Sequence, residues 1–180
     1  MTTNSIFRLS PIIRITLLTL YIALTVPLPI LAKVTSASVP PSLLIVGIIA
    51  GFVILYAVLS ERVITDEEKI QVTYPVWIPR FFLPGWSLLW SDVKDLKPRT
   101  TGQGGLVYYF ISHDGKGYLL PMRIAGLSQL LKIVQEKTNI NTHDVNPFSQ
   151  PWMYIILFGC TLLLLLVDIW TITNSVTGLP

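Results

Sequence analysis

Residues 34–60 read VTSASVPPSLLIVGIIAGFVILYAVLS, an interval without a single Asp, Glu, Lys or Arg. About 20 apolar residues in helical form cross a hydrocarbon layer of about 30 Å, and Leu43–Leu59 has the length and apolarity to do so. Working outward, charge is again absent from Ile15 to Ala32 and from Val145 to Val167. The pattern predicts three transmembrane helices, near Ile12–Leu31, Leu43–Leu59 and Trp152–Thr171. Inside lipid a backbone must satisfy its own hydrogen bonds, so isolated runs of this kind read as helices rather than strands. Composition agrees, since 52% of the 180 residues are hydrophobic and only 13% are charged, too apolar for a water-soluble domain of that size.

The first span supports two readings. Arg8 and Arg14 ahead of an apolar stretch ending at the small residue Ala32 have the layout of a secretory signal peptide. Ile30 fits the small-residue rule before a cut poorly, which favours a retained span, and Pro27 and Pro29 would kink or end a helix in either case. Lys and Arg set the orientation: Arg8 and Arg14 precede the first span, most others lie between the second and third, and only Lys33 sits in the first connection. Positive charge marks the cytoplasmic side, so the N-terminus and the central domain are expected there, with the C-terminus opposite. Trp152, Tyr154 and Trp170 suit the aromatic belts at the two water interfaces.

Between Glu61 and Gln150 continuous apolarity gives way to short alternating stretches broken by turn residues, the pattern of an antiparallel sheet. Strands are expected at Arg62–Ile64, Lys69–Tyr74, Ser87–Trp90, Val93–Thr100, Leu106–Ser112 and Tyr118–Met122. Gly102-Gln103-Gly104-Gly105 and His113-Asp114-Gly115-Lys116-Gly117 offer the positive-φ residues that tight hairpins need. Ile124, Leu127, Leu130, Leu131 and Val134 then recur at spacings of three and four, one apolar helical stripe whose natural cover is the sheet. The expected fold is α+β: residues 1–60 an N-terminal transmembrane hairpin, 61–140 a small antiparallel β-sheet domain closed by one C-terminal amphipathic helix, 141–150 a linker, and 151–173 a last transmembrane helix.

Val63-Ile64-Thr65-Asp66-Glu67, then Trp90-Ser91-Asp92-Val93-Lys94-Asp95-Leu96, then Tyr118-Leu119-Leu120-Pro121 leading into a leucine-rich helix, resemble bacterial pleckstrin-homology-like (PH-like) domains that follow transmembrane hairpins. That resemblance implies a curled sheet closed by a C-terminal helix. Over roughly residues 56–140 the order of spans and domain is also similar to the photosystem I assembly protein family of chloroplasts and cyanobacteria. It implies a thylakoid location and a photosynthetic complex as partner. The third span departs from that family, whose chains end after the soluble domain.

Chemistry needs a constellation, and the chain offers two imidazoles, His113 in an expected turn and His143 in the polar linker beside Asp144. Cys160 is the one cysteine and lies in an apolar run, which excludes an internal disulfide or a cysteine-based metal site. No nucleophile elbow, zinc-binding His pair, P-loop or dinucleotide fingerprint occurs. Asp66, Glu67 and Glu68 read as a solvated hairpin turn. A net charge of +3 without a dense basic run does not support nucleic-acid binding. No cofactor, metal, small-molecule substrate or enzymatic activity is expected.

Two features stand out. Asp168 is the acidic residue embedded in a span, a costly position, although its place near the expected end of that span lets it reach interfacial water. In residues 76–90, Trp77, Phe81, Phe82, Trp86 and Trp90 are interleaved with Pro79, Arg80 and Pro84. That aromatic surface reads as domain core, as a segment dipping into the headgroup layer, or as a dock for a partner protein. The expectation is a non-enzymatic membrane scaffold or assembly factor in contact with lipids and other membrane proteins. The alternative is an accessory subunit of a transporter or channel; a membrane enzyme would need polar residues supplied by a partner.

Overall fold

The structure, a computed structural model, describes residues 4–36, 38–102, 106–145 and 151–177. In chain order the elements are β1 (Ser5–Arg8), α1 (Pro11–Thr25), α2 (Pro27–Val34), α3 (Pro41–Val58), β2 (Arg62–Thr65), β3 (Lys69–Thr73), β4 (Trp86–Leu89), β5 (Val93–Thr100), β6 (Leu106–Ser112), β7 (Gly117–Leu119), α4 (Leu127–Thr138) and α5 (Pro151–Thr177). They form two compact units, Met1–Ser10 with Ser60–Gln150 and Pro11–Leu59 with Pro151–Pro180. The expected boundary at residue 60 therefore misassigned the first segment, which belongs to the sheet unit.

The sheet unit holds a four-stranded antiparallel sheet in the order β1-β2-β3-β4 and a three-stranded one in the order β5-β6-β7. In β1, Phe7 turns inward and is 5% exposed while Ile6 on the other face is 57% exposed, the alternation of a half-buried strand. Val63, Ile70, Val72 and Leu88 of the same sheet join Tyr108 and Phe110 of the other in one core. Leu127, Leu130, Leu131 and Val134 are the buried face of α4 and close that core. Each fully buried aliphatic side chain contributes about 1.5–3 kcal/mol before entropy is subtracted. Pro98 is tolerated in β5 because that strand is an edge of its sheet.

Local chemistry sets the ends. Thr73 is the last residue of β3, with Tyr74 outside the ladder and Pro75 following; β7 stops at Leu119, short of the expected Met122, because Pro121 brings no donor. Trp90 leaves the strand for a short 3-10 turn, Trp90–Asp92. Its indole nitrogen donates to the Asp66 carbonyl at 3.0 Å. The helix starts at Leu127, behind Gly126 at φ 85°, a left-handed conformation that glycine adopts without a Cβ penalty. Ile124, read from sequence as part of the stripe, instead bridges Leu9. Gly115 has the expected positive φ, 82°, whereas Gln103, Gly104 and Gly105 of the other glycine turn lie outside the described residues.

Among the described residues, the helical unit contains three helices long and apolar enough to cross a membrane, Pro11–Val34, Pro41–Val58 and Trp152–Asn174. The first is broken after Thr25 into α1 and α2, since Pro27 cannot donate to the preceding turn. α1 packs on α5 along a seam that buries the small residues Thr16, Ala23 and Thr161, which allow close helix approach. Thr16 donates to the Tyr154 carbonyl at 3.4 Å. Between α1 and α3, Tyr21 donates to the Ile48 carbonyl at 2.8 Å, and a side chain at Gly51 would collide with the Tyr21 hydroxyl. The Arg14 guanidinium lies 4.4 Å from the centre of the Tyr56 ring, a cation–π contact.

Candidate functional site

The aromatic stretch divides into an anchored part and a displayed part. Trp90 is buried, and Trp86 is half-buried, its ring 5.4 Å from Tyr118 and 6.2 Å from Phe110. Trp90 belongs to the sheet core, whereas Trp86 packs against it and keeps one side on an open cleft. Between β3 and β4 the chain makes two tight turns, with Ile78 donating to the Pro75 carbonyl and Phe82 to the Pro79 carbonyl, each at 3.0 Å. Ile78 points inward and is 7% exposed, pinning the loop. Val76, Trp77, Phe81 and Phe82 point outward at 104, 53, 79 and 69% exposure. The Phe81 and Phe82 rings lie 4.2 Å apart, and Arg80 between them and Trp77 is exposed. These exposed apolar side chains form a surface patch.

Strand register fixes where this loop emerges. Arg8 pairs with Arg62, Arg62 with Thr73, and Val72 with Trp86. The two feet of the loop thus stand at the end of the sheet where β1 finishes and β2 begins. Two residues separate β1 from α1, and three separate α3 from β2. At the opposite end, Asp66, Glu67 and Glu68 form the β2–β3 turn. Asp66 Oδ1 accepts the backbone N–H of Glu68 at 2.9 Å and of Lys69 at 2.8 Å, and Lys137 of α4 pairs with Glu67. Asp92 follows β4 at that same end, where Trp90 donates its backbone N–H to Glu68 at 2.8 Å. The sequence reading of this acidic run as a turn corresponds to its hydrogen bonding.

Glu61 stands beside the arginine end, on the wall of an open cleft of about 520 Å³ shared with Trp86, Val107, Leu120 and Arg123. Burial raises its carboxyl above the usual range, and the Arg123 charge offsets only part of that rise. Tyr74 is raised likewise, by burial and by the nearby Glu61 charge. Sequence reasoning passed over Glu61 because it treated the residue as the edge of the domain. It also passed over β1, although Phe7-Arg8-Leu9 alternates like a strand.

The other candidate groups are dispersed. His113 and His143 are exposed in separate turns. Among the described residues no three His, Cys, Asp or Glu side chains cluster to hold a metal ion. Asp114 closes the β6–β7 turn: it accepts from the Ser112 hydroxyl and meets Lys116 Nζ at 2.8 Å. Those contacts hold its pKa down to about 2. Asp168 lies well within α5, which runs on to Thr177 beyond the expected Thr171. Its Oδ2 is shielded from solvent and has no hydrogen-bond partner among the described residues.

Known proteins add one informative similarity. The uncharacterized protein slr0269 of Synechocystis sp. is 54% identical over 163 residues, covering 89% of this chain and 82% of its own length. No family model and no solved structure matches the chain.

Proposed function

The chain belongs to one family with that Synechocystis protein, and on this premise we propose that it is a three-span membrane protein whose PH-like domain recruits other membrane proteins, as a scaffold or assembly factor. One observation carries the reading. Four strands in the order β1-β2-β3-β4 and three in the order β5-β6-β7, closed by α4, make a small sheet domain compatible with this reading, and the chain joins β1 and β2 to the first two apolar helices through connections of two and three residues. A recognition domain so tightly tethered cannot wander from the bilayer and is suited to neighbours in the same membrane. Because β1 precedes the first apolar helix and pairs with β2 behind the second, this reading retains the first span and puts the N-terminus and the domain on one side. Positive charge makes that side cytoplasmic. The cyanobacterial relative is in keeping with a photosynthetic membrane, the thylakoid, as the site of action.

Titratable side chains support a non-catalytic role through the work they already do: Asp66 and Asp114 build turns, and Lys137 ties α4 to Glu67. The test is native separation after solubilisation in mild detergent. Migration in a complex with defined membrane subunits, lost when the domain is exchanged for an unrelated one, is the expected result. Migration only as the small protein by itself contradicts it.

A second reading, the accessory subunit of a transporter or channel, rests on the shielded Oδ2 of Asp168 within an apolar helix. It requires an Asp168→Asn variant to change ion or solute flux while complex formation is untouched.

A further inference from the structure

We propose that the β3–β4 loop is a lipid-docking element, seating Val76, Trp77, Phe81 and Phe82 in the headgroup layer of an anionic leaflet with Arg80 on the phosphates. This rests on the three-span reading above and adds to it a specific surface and ligand class. The loop leaves the sheet at the end bearing Arg8 and Arg62, where the chain passes into α1 and returns from α3. With three residues between α3 and β2, an extended chain reaches at most about 14 Å, so on the three-span reading Arg62 stays within that distance of the end of α3.

Charge separates along the same axis. Arg8, Arg62 and Arg80 outnumber Glu61 at the tethered end, and Asp66, Glu67, Glu68 and Asp92 outnumber Lys69 and Lys137 at the other. Anionic lipid attracts basic residues near the surface by about 1 kcal/mol each, and a polarity of this sense turns the acidic turns towards water. The loop has the chemistry for the position: aromatic and branched apolar side chains held outward by two tight turns, with Ile78 as an inward anchor. Apolar wedges of this kind enter the boundary between headgroups and acyl chains by about 5–10 Å. A protein partner would be recognised by the same aromatic surface, but neither the arginine clustering nor the tethering calls for one.

Nitroxide labels on single-cysteine forms of the full chain, reconstituted in phosphatidylcholine vesicles containing phosphatidylglycerol, test this by their relative accessibility to oxygen and to a water-soluble nickel chelate. Three positions are compared: the native Cys160 in α5, and Phe81→Cys and Ser91→Cys in a Cys160→Ser background. The expected result is a lipid-like ratio at positions 160 and 81, the latter several-fold above that at 91, which is water-like; Arg80→Glu lowers the ratio at 81. A lipid-like label at 160 with a water-like label at 81 overturns the loop proposal and leaves the three-span reading standing. A label at 81 shielded from both reagents also overturns it, in favour of a protein contact. A water-like label at 160 removes the three-span reading itself, and the loop proposal with it.

Discussion

Arg8 and Arg62 face each other across the β1–β2 ladder, although 53 residues and two of the long apolar helices separate them in the chain. A strand from before the first apolar helix is thereby an integral part of the domain that follows the second. The domain cannot be cut out as residues 61–140 without losing one edge of its sheet and the Phe7 side chain from its core.

Phe7→Ala is expected to destabilise the sheet domain by about 3–5 kcal/mol, the range for emptying a buried aromatic site. Ile6→Ala, on the exposed face of the same strand, should stay within about 0.5 kcal/mol. Thermal unfolding of the two variants in the same detergent, followed by near-ultraviolet circular dichroism, compares them directly.

A Cβ on Gly85 would overlap the carbonyl oxygen of Val72 and press on the Thr73 backbone, neither of which can rotate away. Gly85→Ala should therefore force β3 and β4 apart at a cost of about 1–3 kcal/mol. Faster amide exchange in residues 70–73 and 86–89, with α4 protected as before, is the expected signature.

The sense of the Glu61 shift gives a pH dependence. Burial raises the folded-state pKa above the ordinary 4.5, so the folded protein binds the proton more tightly than the unfolded chain. Stability from this group is complete below the unfolded value and falls as pH rises through the folded one. Glu61→Gln should leave stability unchanged at low pH and increase it near neutrality. Denaturant titrations at acidic and neutral pH check the crossover; a loss at neutral pH would mean that the Arg123 interaction outweighs burial.

Asp114 is shifted in the opposite direction. Its carboxyl is expected to titrate at about 2 rather than 3.8, and Lys116→Ala should bring the midpoint back towards the ordinary value. Its contribution is present above the unfolded pKa and disappears as pH falls through the folded one. Carboxyl carbon chemical shifts followed by NMR over the acidic range report both midpoints.

Much of this was legible because single physical signals governed it. Uninterrupted apolarity marks α1 to α3 and α5, and the three-and-four spacing of Leu127, Leu130, Leu131 and Val134 marks α4. What was lost lay where signals are short or conflict. β1 has four residues next to a span, and its alternation was absorbed into the basic flank that sets orientation. The fate of each aromatic in residues 76–90 was hidden, since Ile78 and Trp90 turn inward while Phe81 and Phe82 do not. Composition alone cannot separate an anchor from a displayed side chain. Asp168 looked close to the end of its helix because charge and aromatics suggested an interface there, but the helix continues to Thr177.

The most direct measurement is the sidedness of three single cysteines in a Cys160→Ser background, at Ile6, Ser91 and Asn174, probed with a membrane-impermeant maleimide in sealed vesicles of known orientation. Positions 6 and 91 should label from the same face and position 174 only from the other, as β1 pairing with β2 and three crossings require. Labelling of 6 and 91 from opposite faces, or of all three from one face, would contradict a three-span protein with its sheet domain woven from both sides of the first hairpin.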